Sequence, residues 1–185
     1  MDDSKIIELF FLRSEQAVIE LSSKYGEICI KIAFNILNNL EDAEECVNDT
    51  YMGTWNSIPP QKPNPLSTYV CKIARNIALK RYRYNTAKKR NSFYDISLSE
   101  LEDCIPSAAQ NTVSSTEEDL TEIIEHFLDS LDKKSRIMFV KRYWYAESIA
   151  AIATEFDMTE NHVAVRLLRT RNKMKTYLEK KGVIV

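Results

Sequence analysis

The stretch FDMTENHVAVRLLRTRNKMK, residues 156–175, decides how this chain reads. It places His162, Arg166, Arg169, Arg171, Lys173 and Lys175 in one segment, with no acid between Glu160 and Glu179. A basic helix of this kind is a solvated face, a membrane-surface helix or a nucleic-acid reader. Its surroundings choose. Ser148 is placed to cap a short helix over 149–156, Thr159 to cap a longer one, and Gly182 fits the far end of the second. The turn falls at Asp157, Met158 and Thr159, and Asp tolerates left-handed backbone better than most residues. Ile149, Ile152, Ala153 and Phe156 then pack on Val163, Leu167 and Met174. His162, Arg166, Arg169 and Lys173 step by four, three and four and share a different face. That is a helix-turn-helix whose second helix carries a positive stripe suited to a major groove and its phosphates. A membrane-surface role would need the apolar face that packing consumes.

The rest of the chain agrees with an all-α architecture. Its 185 residues suit one or two small domains, and 44% hydrophobic content is enough for real cores. Three glycines and five prolines are few for a sheet protein of this size. The start, MDDSKIIELFFLRSEQ, is acidic and its apolar run is broken by charge, which is not the pattern of a signal peptide. No window approaches the roughly 20 apolar residues of a membrane span. Cys29, Cys46, Cys71 and Cys104 are far apart and read as reduced, mostly buried thiols of a cytoplasmic protein. Their spacing is wrong for zinc, with only His126 and His162 to help, so no metal and no cofactor is expected.

A formal net charge of −2 conceals segregation. Glu41, Asp42, Glu44, Glu45 and Asp49 form an acidic cluster. Lys72, Arg75, Lys80, Arg81, Arg83, Lys88, Lys89 and Arg90 form an acid-free basic run, and residues 95–129 are mostly acidic again. Such alternation points to several partners, at least one of them anionic.

In the first half, Ile6, Ile7, Leu9, Phe10, Ala17, Val18 and Leu21 recur at helical spacing, followed by Ile28, Ile32, Ile36 and Leu40. Asp42 is the expected cap of a helix that turns Ala43, Cys46, Val47, Tyr51 and Trp55 to a core. Pro59, Pro60, Pro63 and Pro65 break it. Asn64 with Pro65 then opens a helix whose inner face is Leu66, Val70, Ile73, Ile77 and Arg81. That helix interleaves cations with Tyr69, Tyr82 and Tyr84, flat surfaces on which unpaired bases can stack, although Tyr69 equally suits the core. Residues 91–115 lose periodicity and read as a flexible acidic linker, with a helical turn near 97–104. Ser115 with Glu118 is an expected capping box. Leu120, Ile123, Ile124, Phe127 and Leu128 follow as an amphipathic helix, and Asp132 caps the next. The expected domains are 1–90 and 116–185. No nucleophile–base pair or glycine-rich phosphate loop is present, so neither an enzyme nor a small-molecule substrate is expected.

Taken together, these segments resemble the extracytoplasmic-function sigma factors, promoter-recognition subunits of bacterial RNA polymerase. DAEECVNDTYMGTW is similar to that family's core-binding helix, STYVCKIARNIALKRYR to its minus-ten helix, and the unit from Ser148 to Lys175 to its minus-thirty-five reader. The resemblance implies that Asp42, Glu45, Asn48, Asp49 and Met52 meet the clamp helices of the polymerase core, the flap being a second contact of the core. Lys62 and Asn64, in the proline-rich loop, Tyr69, Lys72, Arg75, Asn76, Lys80 and Arg83 would meet opened minus-ten DNA. Asn161, His162, Ala164, Val165, Arg166, Leu168, Arg169, Arg171 and Lys173 would meet the upstream duplex. Ala164 and Val165 stand where a Lys-Ser pair is common, and they can touch only thymine methyls. Promoter DNA and the polymerase core are the implied partners, an anti-sigma protein is a further one, and no membrane is. The competing reading is a stand-alone helix-turn-helix regulator that binds an operator without polymerase, which leaves the first half unused.

Overall fold

The computed structural model describes residues 1–85, 93–102 and 117–183, and among them every regular element is a helix. The chain divides into two compact units, Met1–Ser92 and Phe93–Val185.

The first unit holds α1 (Asp3–Phe11), α2 (Gln16–Leu37), α3 (Leu40–Ser57) and α4 (Leu66–Asn85). The two apolar stripes around Leu21 and Ile32 belong to one helix, α2, which ends at Asn38 in left-handed backbone (φ 50°). Asn39 caps α3 by accepting from the Asp42 amide at 2.9 Å. The expected cap at Asp42 is therefore corrected: the stronger local arrangement puts Asn39 at the cap and Asp42 inside the first turn, where its charge suits the helix dipole. Leu40 accordingly starts α3 and is exposed. The helix after the prolines begins at Leu66, with the Pro65 carbonyl accepting from the Tyr69 amide at 3.4 Å. Ile6, Phe10, Ala17, Leu21, Cys29, Val47, Ile58, Leu66, Val70 and Ala74 form the core of this unit. A Cβ on Gly53 would lie 3.2 Å from Ile73 Cγ2, so glycine sets the close approach of α3 to α4. Cys29, Cys46 and Cys71 are buried and free. Burial pushes the Cys29 thiol up to about 12 and that of Cys46 up to about 11, so both are inert at neutral pH.

The second unit holds α5 (Phe93–Glu102), α6 (Glu117–Ser130), α7 (Lys133–Tyr143), α8 (Ile149–Glu155) and α9 (Glu160–Lys180). Phe127, Met138, Phe139, Tyr143, Ile152, Ala153, Val163, Leu167, Met174 and Leu178 form its core. Within the segment read as linker, the described residues form α5, whose Leu101 packs on this core. The remainder of that segment, with Cys104 and the pairing of Ser115 with Glu118, lies outside the described residues, as do Lys88, Lys89 and Arg90.

Candidate nucleic-acid interface

The helix-turn-helix is fixed by its caps. Ser148 Oγ accepts from the Ala151 amide at 3.1 Å and Thr159 Oγ1 from the His162 amide at 3.3 Å. Between them α8 closes with the Met158 amide on the Ala153 carbonyl (3.0 Å) and the Asp157 amide on the Thr154 carbonyl (3.4 Å). That paired closure needs a left-handed residue at its second position, and Asp157 supplies it with φ 51°. The far end of α9 closes in the same manner: Gly182 (φ 81°) bonds the Glu179 carbonyl, and the Val183 amide bonds that of Leu178. Val163, Leu167, Thr170, Met174 and Leu178 are the buried stripe of α9.

With that stripe inward, His162, Arg166, Arg169 and Lys173 line one concave surface, with Val165 and the start of α7 at Asp132, Lys134 and Ser135. Hydrogen bonds from the Ser135 side chain and amide hold the Asp132 carboxyl below the usual range, and Arg166 adds its positive field. Asn161 and Leu168 are exposed beside this surface, whereas Ala164 is half-buried.

Arg171 is not on that face. Its guanidinium donates to Glu100 Oε2 at 3.0 Å and to the Tyr143 hydroxyl at 2.6 Å. Glu100, on α5, also accepts from Arg142 at 2.6 Å and from Tyr143 at 2.9 Å. Arg142 is 2% exposed and also donates to the Glu147 carbonyl at 2.8 Å. Burial pushes the Glu100 carboxyl up, but the hydrogen bonds and charges of Arg142, Tyr143 and Arg171 outweigh it and leave the group below its ordinary value. Arg171 therefore fastens α9 to α5 and α7 rather than presenting its charge beside Arg169. Sequence reasoning missed Glu100, which stood as one acid among many in an acidic segment.

In the first unit, Lys72, Asn76, Lys80 and Arg83 are all exposed at spacings of four, four and three, which gives α4 a polar, basic outer face. Arg75 is half-buried at its edge. Tyr69 is half-buried against the core, while Tyr84 is 88% exposed. Lys62 and Asn64 line a groove with Phe11, Leu12 and Pro63, and Lys62 Nζ lies 5.0 Å from the centre of the Phe11 ring.

Arg81 departs from the basic face and from the apolar one expected for it. It reaches α3, where its Nη1 and Nη2 meet both oxygens of Glu45 at 2.5 Å and Nη1 meets Asp42 Oδ1 at 3.0 Å. The hydrogen bond from Arg81 holds the Glu45 carboxyl below its ordinary value. An exposed pair of this sort adds little to stability but fixes where the carboxylates point. Asn85 adds a 3.1 Å bond to Asp42. Asn48, Asp49 and Met52 continue the same exposed side of α3, with Met52 59% exposed, over a buried side of Cys46, Val47, Thr50 and Thr54. Asp42 is half-buried at the start of this strip.

Among the described residues no group of three or more His, Cys, Asp or Glu is placed to hold a metal ion, and no helix is long and apolar enough to cross a membrane.

Comparison with known proteins gives two family matches. Sigma-70 region 2 matches residues 21–88, and sigma-70, region 4 matches residues 121–174. Between them they take in more than half of the chain. Among solved structures the chain is similar to CnrH, determined in complex with the cytosolic domain of CnrY. The identity is 18%, covering 96% of this chain and 97% of that one, with a TM-score of 0.45. No curated protein sequence matches the chain. Region 2 followed by region 4 is the pairing of the extracytoplasmic-function type, and the chain belongs to the sigma-70 family, as a sigma factor that directs RNA polymerase core to promoter DNA.

Proposed function

We propose that three exposed faces divide this work. The side of α3 that carries Glu45, Asn48, Asp49 and Met52, with Asp42 at its edge, docks on the polymerase clamp. The α4 face of Lys72, Asn76, Lys80 and Arg83, with Lys62 and Asn64 beside it, holds opened minus-ten DNA. The α9 face of His162, Arg166, Arg169 and Lys173 holds the minus-thirty-five duplex. Residues 1–90 carry the polymerase and minus-ten faces and residues 116–185 the minus-thirty-five face; of the segment between them, α5 is packed on the second unit's core, and the site of action is the cytoplasm, where the polymerase is. The chain contributes binding and positioning rather than a chemical step.

The observation that carries this reading is the α3 strip. A carboxylate pair fixed by Arg81 next to an exposed amide, acid and methionine is a surface built for a protein partner, and an operator binder has no use for it.

Asp49→Lys should weaken core polymerase binding about tenfold, because it sets a like charge against a surface chosen for the opposite one. Asp49 is exposed, so folding should change by no more than about 0.5 kcal/mol. Titration of labelled core with wild type and variant reads the difference. Equal affinities with native helicity would take α3 out of the interface.

Arg166→Ala should act differently. Binding of upstream DNA should fall for all sequences alike, and the slope of log affinity against log salt should shrink by about 0.9, the signature of one lost phosphate contact. A slope equal to that of the wild type would place Arg166 away from phosphate.

A further inference from the structure

The outer surface of α9 is two parallel stripes rather than one. At about 100° per residue, His162, Arg166, Arg169 and Lys173 form a basic stripe. One residue earlier at every step, Asn161, Val165, Leu168 and Asn172 form a second, uncharged stripe, and all four are exposed. Val165 lies opposite the buried Val163, Leu167, Thr170 and Met174, at the middle of the outward face. Val165 and Leu168 are 36% and 47% exposed. Isolated apolar surface residues need no explanation. Here two stand together at the centre of the face, with amides at either end and cations along one side.

Resting on the assignment of α9 to the upstream duplex, we propose that the uncharged stripe reads A·T pairs through thymine methyl groups, with Val165 and Leu168 as the specificity-determining contacts. The basic stripe follows the phosphates and so turns the neighbouring stripe to the groove floor. The C5 methyl of thymine is the apolar feature that the natural bases show in the major groove, and Val and Leu have nothing else to recognise there. Three residues of helix advance about 4.5 Å, about 1 Å more than one base-pair step of about 3.4 Å, a difference that the flexible Leu168 side chain can span, so the two side chains reach methyls on neighbouring pairs. Asn161, near the start of α9, is placed as the amide partner of an adenine edge. Ala164, half-buried and off this stripe, takes no part.

The test uses the full chain with core polymerase. Duplexes are selected from a library randomised over the upstream element. The selected duplex is then remade with deoxyuridine for thymidine in that element alone. Affinity should fall about fourfold for each contacted methyl removed. The double variant Val165→Ala, Leu168→Ala should bind the thymidine and deoxyuridine duplexes equally while keeping its affinity for core. Arg166→Ala should weaken both duplexes by the same factor. A selected element without thymine, or wild type indifferent to deoxyuridine, would overturn methyl reading and leave the sigma-factor assignment intact. Discrimination that persists in the double variant would overturn the roles of these two residues. Loss of core affinity in the double variant would make the stripe a protein contact instead. If selection returns no preferred duplex at all, the assignment of α9 to promoter DNA falls together with the proposal.

Discussion

Leu167→Ala should cost the C-terminal unit about 3 kcal/mol, within the 2–5 kcal/mol range for emptying a closed leucine site. Leu167 is 1% exposed and belongs to the same buried cluster as Ile152, Ala153 and Met174. Little around it can collapse to fill the space, because α8 is held at both ends by Ser148 and by the Asp157 closure. The whole stability of so small a unit is on the order of 5 kcal/mol. About 2 kcal/mol should therefore remain, so a few per cent of the variant's C-terminal unit should be unfolded at 25 °C, and that fraction should climb steeply in urea or on warming. The N-terminal unit has its own core, so the damage should be local. Urea unfolding should show an early transition for one unit with the other unchanged. At a urea concentration that unfolds the variant's unit but not the wild type's, binding to core polymerase should survive while protection of the upstream element is lost. A single unchanged transition would mean that α9 does not rest on α8 as described.

Glu100→Gln should be comparably costly, about 3 kcal/mol, for an electrostatic reason. Two arginines share the Glu100 carboxylate, and one of them, Arg142, is almost wholly buried. An amide keeps the shape but leaves buried positive charge short of its partner, which is the expensive way to break an ion pair. The group also gives a pH signature. Its carboxyl is held below its ordinary value in the folded state. Its stabilisation is therefore full above the unfolded value of about 4.3 and is lost as pH falls through the lower, folded value. Wild type should lose stability of the C-terminal unit on acidification below about pH 5, and Glu100→Gln should lack that part of the dependence. Parallel pH profiles for the two proteins would show that Glu100 is not the titrating group. Arg171 links this cluster to α9, so, if α9 holds the upstream duplex as proposed, the variant should also weaken that binding without removing any residue from the basic stripe.

The parts legible in the sequence were those that local chemistry decides. Ser148, Thr159 and Asp132 are capping residues just before periodic runs, and each caps the expected helix. Asp157 and Gly182 take the left-handed backbone that a helix closure demands. The heptad-like spacing of Val163, Leu167 and Met174 named the inward face of α9, which left His162, Arg166, Arg169 and Lys173 outward by geometry. The illegible parts are long-range pairings. Arg81 and Arg171 each sit in a basic run and read as ligand-facing or, for Arg81, as part of an inner face. Their partners stand 36 to 39 residues away on α3 and 71 residues away on α5, and no periodicity connects them. The start of α3 misled for the opposite reason: Asn39 and Asp42 are both good caps three residues apart, and only the backbone tells which is used.

The chain should work on promoters only together with polymerase. On the proposed assignment its DNA contacts are divided between two units, each with a modest basic face. Non-specific binding by such a face is about 10⁻⁴–10⁻⁶ M at physiological salt. Division also denies either contact much gain in effective concentration until a third body fixes their spacing. Footprinting of one promoter with the free chain and with the chain plus core polymerase measures this directly. The free chain at micromolar concentration should protect nothing. With core, two protected patches should lie about two helical turns apart, and unpaired, chemically reactive bases should appear in the downstream patch. One compact footprint from the chain alone, at nanomolar concentration and without melting, would contradict the account.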